Sequence, residues 1–406
     1  MKSGFVKVTS FYKDFLDYYY RSNPWVISKN YREQYQHLMD QGYGYSDYFP
    51  RYLKQNHDIS GTELIHNATH LQAAWARENG FKFEGDRLLL EQLKTCKPEI
   101  LFIQDSINFN AAFVQKIKEE VRSIRLIIGH CCAPYNQENI RAFKQYDVIL
   151  ACSEKFLEDF RQQDIRCYLF PHAVESSLVK QLGGTPDPVN EIIFVGSLLQ
   201  RSEFHNQRIS YLEKILSNHL PLRMYGQLET DTGLRLRTKQ AAYLLVRLLA
   251  SLQVKSIYQF KPFHKIGLLK EMPHKSNYSS VIKKNFRIEH LFGIEMLRKI
   301  AEYSVGFNLH GEVAGDYAAN VRMFEVTGAG SLLVTDHKKN IASLFEPDKE
   351  ILTYKNVEEC IEKLQWALNH PLEARAIART GQKRALMDHT VEKRVDLLYE
   401  IIQKEL

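Results

Sequence analysis

The sequence predicts an α/β fold built from two Rossmann-like, doubly wound halves. Short apolar runs recur between longer helical patterns, which indicates parallel βαβ units rather than hairpins. Midway along, Gly183-Gly184-Thr185-Pro186-Asp187-Pro188 interrupts the pattern, and a fresh apolar run, Glu191–Gly196, follows at once. Gly and Pro at that density cannot continue an element, so this is a linker. The length, 406 residues, exceeds what one core usually accommodates. The expected domains are therefore 1–185 and 191–385, with a terminal helical stretch at 386–406.

The first half opens with a strand at Phe5–Ser10 and a helix at Tyr31–Gln41, stopped by Gly42. A strand at Thr62–His66, a helix at Leu71–Glu78 that breaks at Gly80, and a helix at Leu88–Thr95 before Pro98 come next. Ile100–Gln104, Arg125–Gly129 and Val148–Cys152 read as buried strands. The second half repeats the alternation with Leu222–Tyr225, Ser304–Leu309, Ser331–Thr335 and Glu350–Thr353. An amphipathic helix spans about Val391–Lys404.

Composition excludes several classes. With 44% hydrophobic and 25% charged residues the chain reads as globular, and no stretch is long and apolar enough to span a bilayer. The N-terminus lacks a signal-peptide pattern, so a cytoplasmic location is expected. Cys96, Cys131, Cys132, Cys152, Cys167 and Cys360 show no C-x-x-C or Cys/His ligand spacing, so neither disulfides nor a metal is expected. The net charge of +6 is unevenly placed. Leu234–His290 holds twelve Lys or Arg against two carboxylates, about +10, so an anionic partner is expected there. No nucleic-acid-binding module accompanies that charge.

The most informative stretch is Phe307–Asp336. A strand ends at His310-Gly311, a polar loop leads to a helix opening with Asn320, Arg322 and Glu325, and Gly328 and Gly330 turn into the next strand. Polar residues gathered at the carboxyl ends of parallel strands mark a ligand site. Glycine, a helix N-terminus and a carboxylate suit a nucleotide-sugar, with backbone N–H groups on the diphosphate and the carboxylate on ribose hydroxyls.

Asn320-x-Arg322-x-x-Glu325, Gly328-x-Gly330, Asp336 and Leu344-Phe345-Glu346-Pro347 together resemble the C-terminal half of the CgeB-like glycosyltransferases, within the wider GT-B group. The likeness runs on through Trp366–Pro371, Ala376–Gly381, His389-Thr390 and Arg394, and more weakly through Tyr12–Tyr19, Asn67–Trp75, Lys97–Asp105 and Tyr146–Pro171. It implies a GT-B fold whose two domains face a central cleft, the N-terminal one for the acceptor and the C-terminal one for the donor. The terminal helix would cross back onto the N-terminal domain. It also implies metal-independent transfer of a sugar from a nucleotide-sugar to a hydroxyl acceptor, with no cofactor. Alternatives are a nucleotide-sugar epimerase of the same fold and a catalytically silent binding subunit.

Within that frame Glu325 matches the carboxylate that grips the ribose; its other role would be helix-dipole compensation. Arg322, on a similar face, either binds phosphate or holds Glu325 by a salt bridge. Asn320 either contacts ligand or caps the helix. His310, Gly311, Gly196 and Ser197 suit diphosphate contact, Arg201 and His205 are nearby cations, and Tyr225 borders the base. Retaining GT-B enzymes often carry a second Glu eight positions before the equivalent of Glu325, where this chain has Tyr317, so the outcome leans away from that arrangement. An inverting base would come from Asp105 or His130, both at strand carboxyl ends, and His172 lies near the hinge. The helical pattern at Leu234–Leu252, with Arg235, Arg237, Lys239 and Arg247, is either a half-buried surface helix or a peripheral contact with anionic lipid.

Overall fold

The computed structural model describes residues 4–82, 84–183, 187–198, 206–228, 233–252 and 278–406, with isolated positions between 263 and 273. Two sheets, each of six parallel strands, carry the fold. The first comprises β1 (Phe5–Thr9), β2 (Gly61–Ile65), β3 (Ile100–Ile103), β4 (Leu126–Cys131), β5 (Val148–Ala151) and β6 (Cys167–Leu169), in the order β2-β1-β3-β4-β5-β6. The second comprises β7 (Val189–Val195), β8 (Leu222–Gly226), β9 (Phe286–Ile288), β10 (Tyr303–Asn308), β11 (Leu332–Asp336) and β12 (Leu352–Tyr354), in the order β12-β11-β10-β7-β8-β9. Strand order reverses once in each sheet, between β1 and β3 and between β7 and β10. Those two reversals are where the connecting chain diverges and leaves a crevice.

The apolar runs became strands because helices cover both sheet faces. Every residue of β3, β4 and β5 is buried. The strands missed by sequence reading, β6 and β9, are three-residue edge strands. In β9 only Phe286 is buried, so no alternation could show. The stretch expected to be basic and helical thus contains a helix at Gly233–Ser251, a short one at Ser280–Asn285, and then an edge strand.

One ion pair is fully enclosed. Lys7 of β1 and Glu63 of β2 stand opposite each other, both 0% exposed, with Nζ 2.8 Å from Oε1. Burial pushes the Glu63 carboxyl up and Lys7 pulls it back. Removing either partner would strand a buried charge.

The halves are joined by a crossing of the chain. The helix Val391–Glu405 packs on the helix Tyr48–His57, where His57 Nε2 meets Asp396 at 2.9 Å and its ring stacks on Tyr399 at 3.9 Å. Just before it, Val174 N donates to His389 O at 3.0 Å and Val391 N to Val174 O at 3.0 Å. Buried Arg394 donates to the carbonyls of Pro171, His172 and Asp388, at 2.8, 3.2 and 3.2 Å, and to His389 Nδ1 at 3.1 Å. A close backbone approach at Gly293 adds to the seam: its φ is +51°, and a Cβ there would stand 2.2 Å from Gln41 O.

His389 gives the seam a pH dependence. Its Nε2–H donates to Leu344 O at 2.8 Å while Nδ1 accepts from Arg394, so the ring is held neutral. Burial, then the charges of Arg394 and Arg384, push it down to about 4 from 6.5, against the Leu344 hydrogen bond. A depressed folded value means that its contribution is fully present above the unfolded value and lost as pH falls. The destabilisation of His389→Gln relative to the parent should shrink by about 2 kcal/mol between pH 7 and pH 5, because only the parent's unfolded state gains a proton there. Urea melts of both proteins at the two pH values measure this, and a constant difference would show that the ring is not held neutral.

Candidate functional site

At the β7/β10 reversal the site is built around Arg208, on the first turns of the helix Asn206–Ser217. Its Nη1 donates to Ser197 O at 3.3 Å and its Nη2 to Leu309 O at 3.0 Å, so the guanidinium bridges the loops leaving the two strands. Burial, and then the charge of Arg322, push it down to about 10. Its Nε has no partner among the described residues. The close approach beside it needs glycine. Gly226 has φ +139°, and a Cβ there would lie 2.3 Å from Gly196 O.

His310 leaves β10 beside Arg208. Its backbone N and its Nδ1 both donate to Asp336 Oδ1, at 2.9 and 2.8 Å, so the end of β11 orients the ring. Asp336 is pushed up by burial but pulled down further by His310, to about 2, and stays ionised. The ring's other nitrogen, Nε2, is buried and without a partner among the described residues. Two unsatisfied nitrogens, on Arg208 and His310, thus lie at one strand reversal. Buried polar atoms left without a partner are costly unless a ligand meets them.

The helix Arg322–Ala329 opens the same side. Arg322 Nη1 lies 2.7 Å from Glu325 Oε2, but without hydrogen-bond alignment, since Oε2 counts as unsatisfied. Both statements fit an ion contact that leaves the carboxylate's acceptor capacity open. Of the two roles expected for Arg322, the salt bridge is present. Asn320 caps nothing: the residue before the helix is Val321, without a side-chain cap, and Asn320 pairs with Asn308 at 2.8 Å. Tyr317 spends its hydroxyl on Glu158 of the N-terminal half at 2.9 Å.

The opposing wall is the β1/β3 reversal, bridged by Asp105, whose Oδ2 accepts from Ser10 N at 2.9 Å. Burial pushes the Asp105 carboxyl up, against the pull of that hydrogen bond and of Lys7. Tyr12 is 75% exposed by surface area, yet crowding pushes its phenol up first, followed by the charges of Asp105, Cys132 and Glu325. Tyr12 feels carboxylates from both walls, Asp105 on one and Glu325 on the other. Phe11, Phe15, Tyr43 and Phe292 form an aromatic floor beside it, with Tyr43 stacked 3.8 Å from Phe15.

His130 is turned inward. Its Nδ1–H donates to Gln104 O at 3.2 Å, and its Nε2 meets Cys132 Sγ at 3.2 Å. Burial and the charge of His172 push it down to about 3, a weak base. Tyr225 also departs from expectation. Its ring is 2% exposed, in the core beneath the sheet, with its hydroxyl 2.7 Å from that of Tyr303, so it does not border the cleft. Gly196, Ser197 and His310 share the β7/β10 reversal. A Cβ at Gly311 would meet nothing, so no close approach requires glycine there. Arg201 and His205 lie outside the described residues.

Sequence reading missed Arg208 and Tyr12. Arg208 is one cation in a surface-like helix, and only the strand order places it between two loops. It also missed a grouping of Cys132, Cys152 and His172, whose ligand atoms lie within 4.8 Å of one another.

Comparison with known proteins bears on the fold. Residues 237–400 match the family model described as glycosyl transferase-like. Against curated proteins the chain has no match. A glycosyltransferase from Rickettsia africae ESF-5 superposes with a TM-score of 0.55 at 9% identity, covering 99% of this chain and 98% of that one. HepE from Anabaena, in complex with UDP and glucose, gives 0.54 at 11% identity, covering 98% and 99%. An alpha-glucosyltransferase in complex with UDP gives 0.51 at 12% identity, covering 86% and 87%. At such identities the likeness is one of fold. Residues 237–400 thus resemble a glycosyl transferase-like domain, and the two-sheet frame is the fold of GT-B glycosyltransferase structures.

Proposed function

We propose that the protein transfers a sugar from a nucleoside-diphosphate sugar to a hydroxyl acceptor. One observation carries this reading: the two strand reversals present complementary chemistry, an unsatisfied guanidinium nitrogen and an unpartnered imidazole nitrogen at β7/β10 and an acid of raised pKa at β1/β3. Arg208 would meet the diphosphate with the backbone around Gly196-Ser197, His310 Nε2 would accept from a hydroxyl of the donor, and Glu325, steadied by Arg322, would accept from ribose hydroxyls. Stabilising the departing diphosphate and aligning the acceptor are the two contributions asked of such a site. Asp105 would take the acceptor's proton, since its raised pKa makes it the better base of the two candidates at strand ends. Tyr317, committed to Glu158, supports a direct displacement with Asp105 as base. Because the diphosphate charge would be met by Arg208 and the backbone N–H groups around Gly196-Ser197, transfer is proposed to need no divalent ion.

Calorimetry with UDP, GDP, dTDP and CDP tests the donor half. One of them should bind, with an affinity that added Mg2+ leaves unchanged. Glu325→Gln should weaken it by roughly 1–3 kcal/mol, the scale of a lost charge-assisted hydrogen bond, and Arg208→Gln by a similar amount. No binding by any of the four would end the reading. Donor alone distinguishes the neighbouring activities: a new nucleotide-sugar isomer would mean an epimerase, and binding without turnover over a panel of acceptors a silent subunit.

A surface feature bears on where the acceptor sits. In the helix Gly233–Ser251 only Val246 is buried, while Leu234, Leu244 and Leu248 are 76%, 59% and 57% exposed. No helix among the described residues is long and apolar enough to cross a membrane. We propose that this leucine-bearing, basic helix docks on anionic lipid, each Lys or Arg contributing on the order of 1 kcal/mol. Co-sedimentation with phosphatidylglycerol vesicles should be strong at low salt and vanish at high salt. Absence of sedimentation at low salt would leave the basic stretch as a field that draws in the anionic donor.

A further inference from the structure

Three chain exits of the N-terminal sheet converge below the cleft. β4 runs through His130 and Cys131 into Cys132, β5 ends at Ala151 with Cys152 next, and the chain leaving β6 passes Pro171 to His172. The ligand atoms of Cys132, Cys152 and His172 lie within 4.8 Å of one another. His130 Nε2 stands 3.2 Å from Cys132 Sγ. The transfer reading uses neither thiol.

Both imidazoles are already held as a ligating imidazole is held. A backbone carbonyl, Gln104 O, takes the Nδ1–H of His130 and so fixes the tautomer that leaves Nε2 as an acceptor. His172 Nδ1 lies 2.8 Å from the Tyr45 hydroxyl, which the Ala173 N–H anchors at 3.2 Å. Outer partners of this kind orient metal-binding histidines and raise their basicity. Zinc–sulfur and zinc–nitrogen bonds of about 2.3 and 2.0 Å put neighbouring donors roughly 3.3–3.8 Å apart in a tetrahedron, and the three ligand atoms already lie within 4.8 Å of one another. A cavity of about 50 Å³ lined by Cys152, His172, Phe324 and Leu344 reaches the cluster from the domain junction.

We propose that Cys132, Cys152 and His172 form a site for one zinc ion, with His130, 3.2 Å from Cys132, the nearest further donor. Two thiolates and an imidazole are a donor set suited to that ion, and loading releases the two thiol protons to solvent. The role is structural. The ion would tie the ends of β4 and β5 to the segment whose carbonyls Arg394 grips, and so stiffen the seam on the acceptor side. Its placement leaves Asp105 as the base and does not depend on the transfer reading.

The test is cobalt titration of the reduced, metal-stripped full chain. One equivalent should give thiolate-to-cobalt charge transfer in the near-ultraviolet with intense tetrahedral ligand-field bands, bleached by stoichiometric zinc with proton release. Cys132→Ser and Cys152→Ser should each lower the charge-transfer intensity by about half, His172→Gln should weaken zinc affinity on the order of 10-fold or more, and Cys96→Ser should change nothing. Zinc should raise the Tm of the parent and not of the Cys132→Ser, Cys152→Ser double variant. A parent protein with no charge-transfer band overturns the proposal, whatever the variants do. So does a band that survives in the double variant, or a Cys132–Cys152 disulfide whose reduction restores two thiols but no cobalt binding.

Discussion

At the point where the chain passes between the sheets, the guanidinium of Arg394 faces four acceptors: three carbonyls and the imidazole of His389. Burial alone pushes its pKa down, yet arginine keeps its charge at any working pH, so the acceptors cannot be left unmet. The crossing is therefore specified by a buried cation rather than by apolar contact, which would tolerate sliding. Two of the carbonyls belong to Pro171 and His172 on the first sheet's side, while His389 reaches Leu344 on the second sheet's side. Whatever angle the cleft adopts, it is adopted about this point.

The two walls answer each other. In both sheets one side chain bridges the loops that part at the strand reversal, an acid between Ser10 and β3 on one wall and an arginine between Ser197 and Leu309 on the other. Each is fixed by backbone, so neither depends on a neighbouring side chain for its aim. Prepositioned groups of opposite sign, both partly desolvated, make a cleft that needs little reorganisation when a charged ligand enters.

How far the sequence could be read follows from the same geometry. The interior strands were legible because helices on both faces demand continuous apolar runs, as in Ile100–Ile103 and Val148–Ala151. The edge strand Phe286–Ile288 was not, since one buried residue makes no pattern. Glu325 and His310 stood out as polar residues after apolar ones, and they lie on the side of the β7/β10 reversal. Arg208, Tyr12 and the cysteine–histidine grouping act through strand order, which brings together positions that spacing keeps apart. Tyr225 misled because a strand's last residues alternate in direction, and its ring points into the core. Much of the recognisable C-terminal pattern serves architecture: Asp336 steers His310, Phe345 packs against His389, and a Cβ at Gly381 would strike Glu350 O at 2.2 Å.

The helix Val391–Glu405 buries Val391, Val395, Leu398, Ile401 and Ile402 on the first sheet's side of the molecule. Its Glu392 meets Asn56 across 336 positions of sequence. During synthesis the first sheet therefore emerges with an apolar flank open, and the segment that covers it is not made until the whole second sheet has been translated. At ordinary elongation rates that interval is on the order of tens of seconds, long enough for a sticky half-finished unit to meet another of its kind. Order of manufacture and order of completion are reversed in this chain, and nascent copies on one messenger would depend on chaperone cover for the gap.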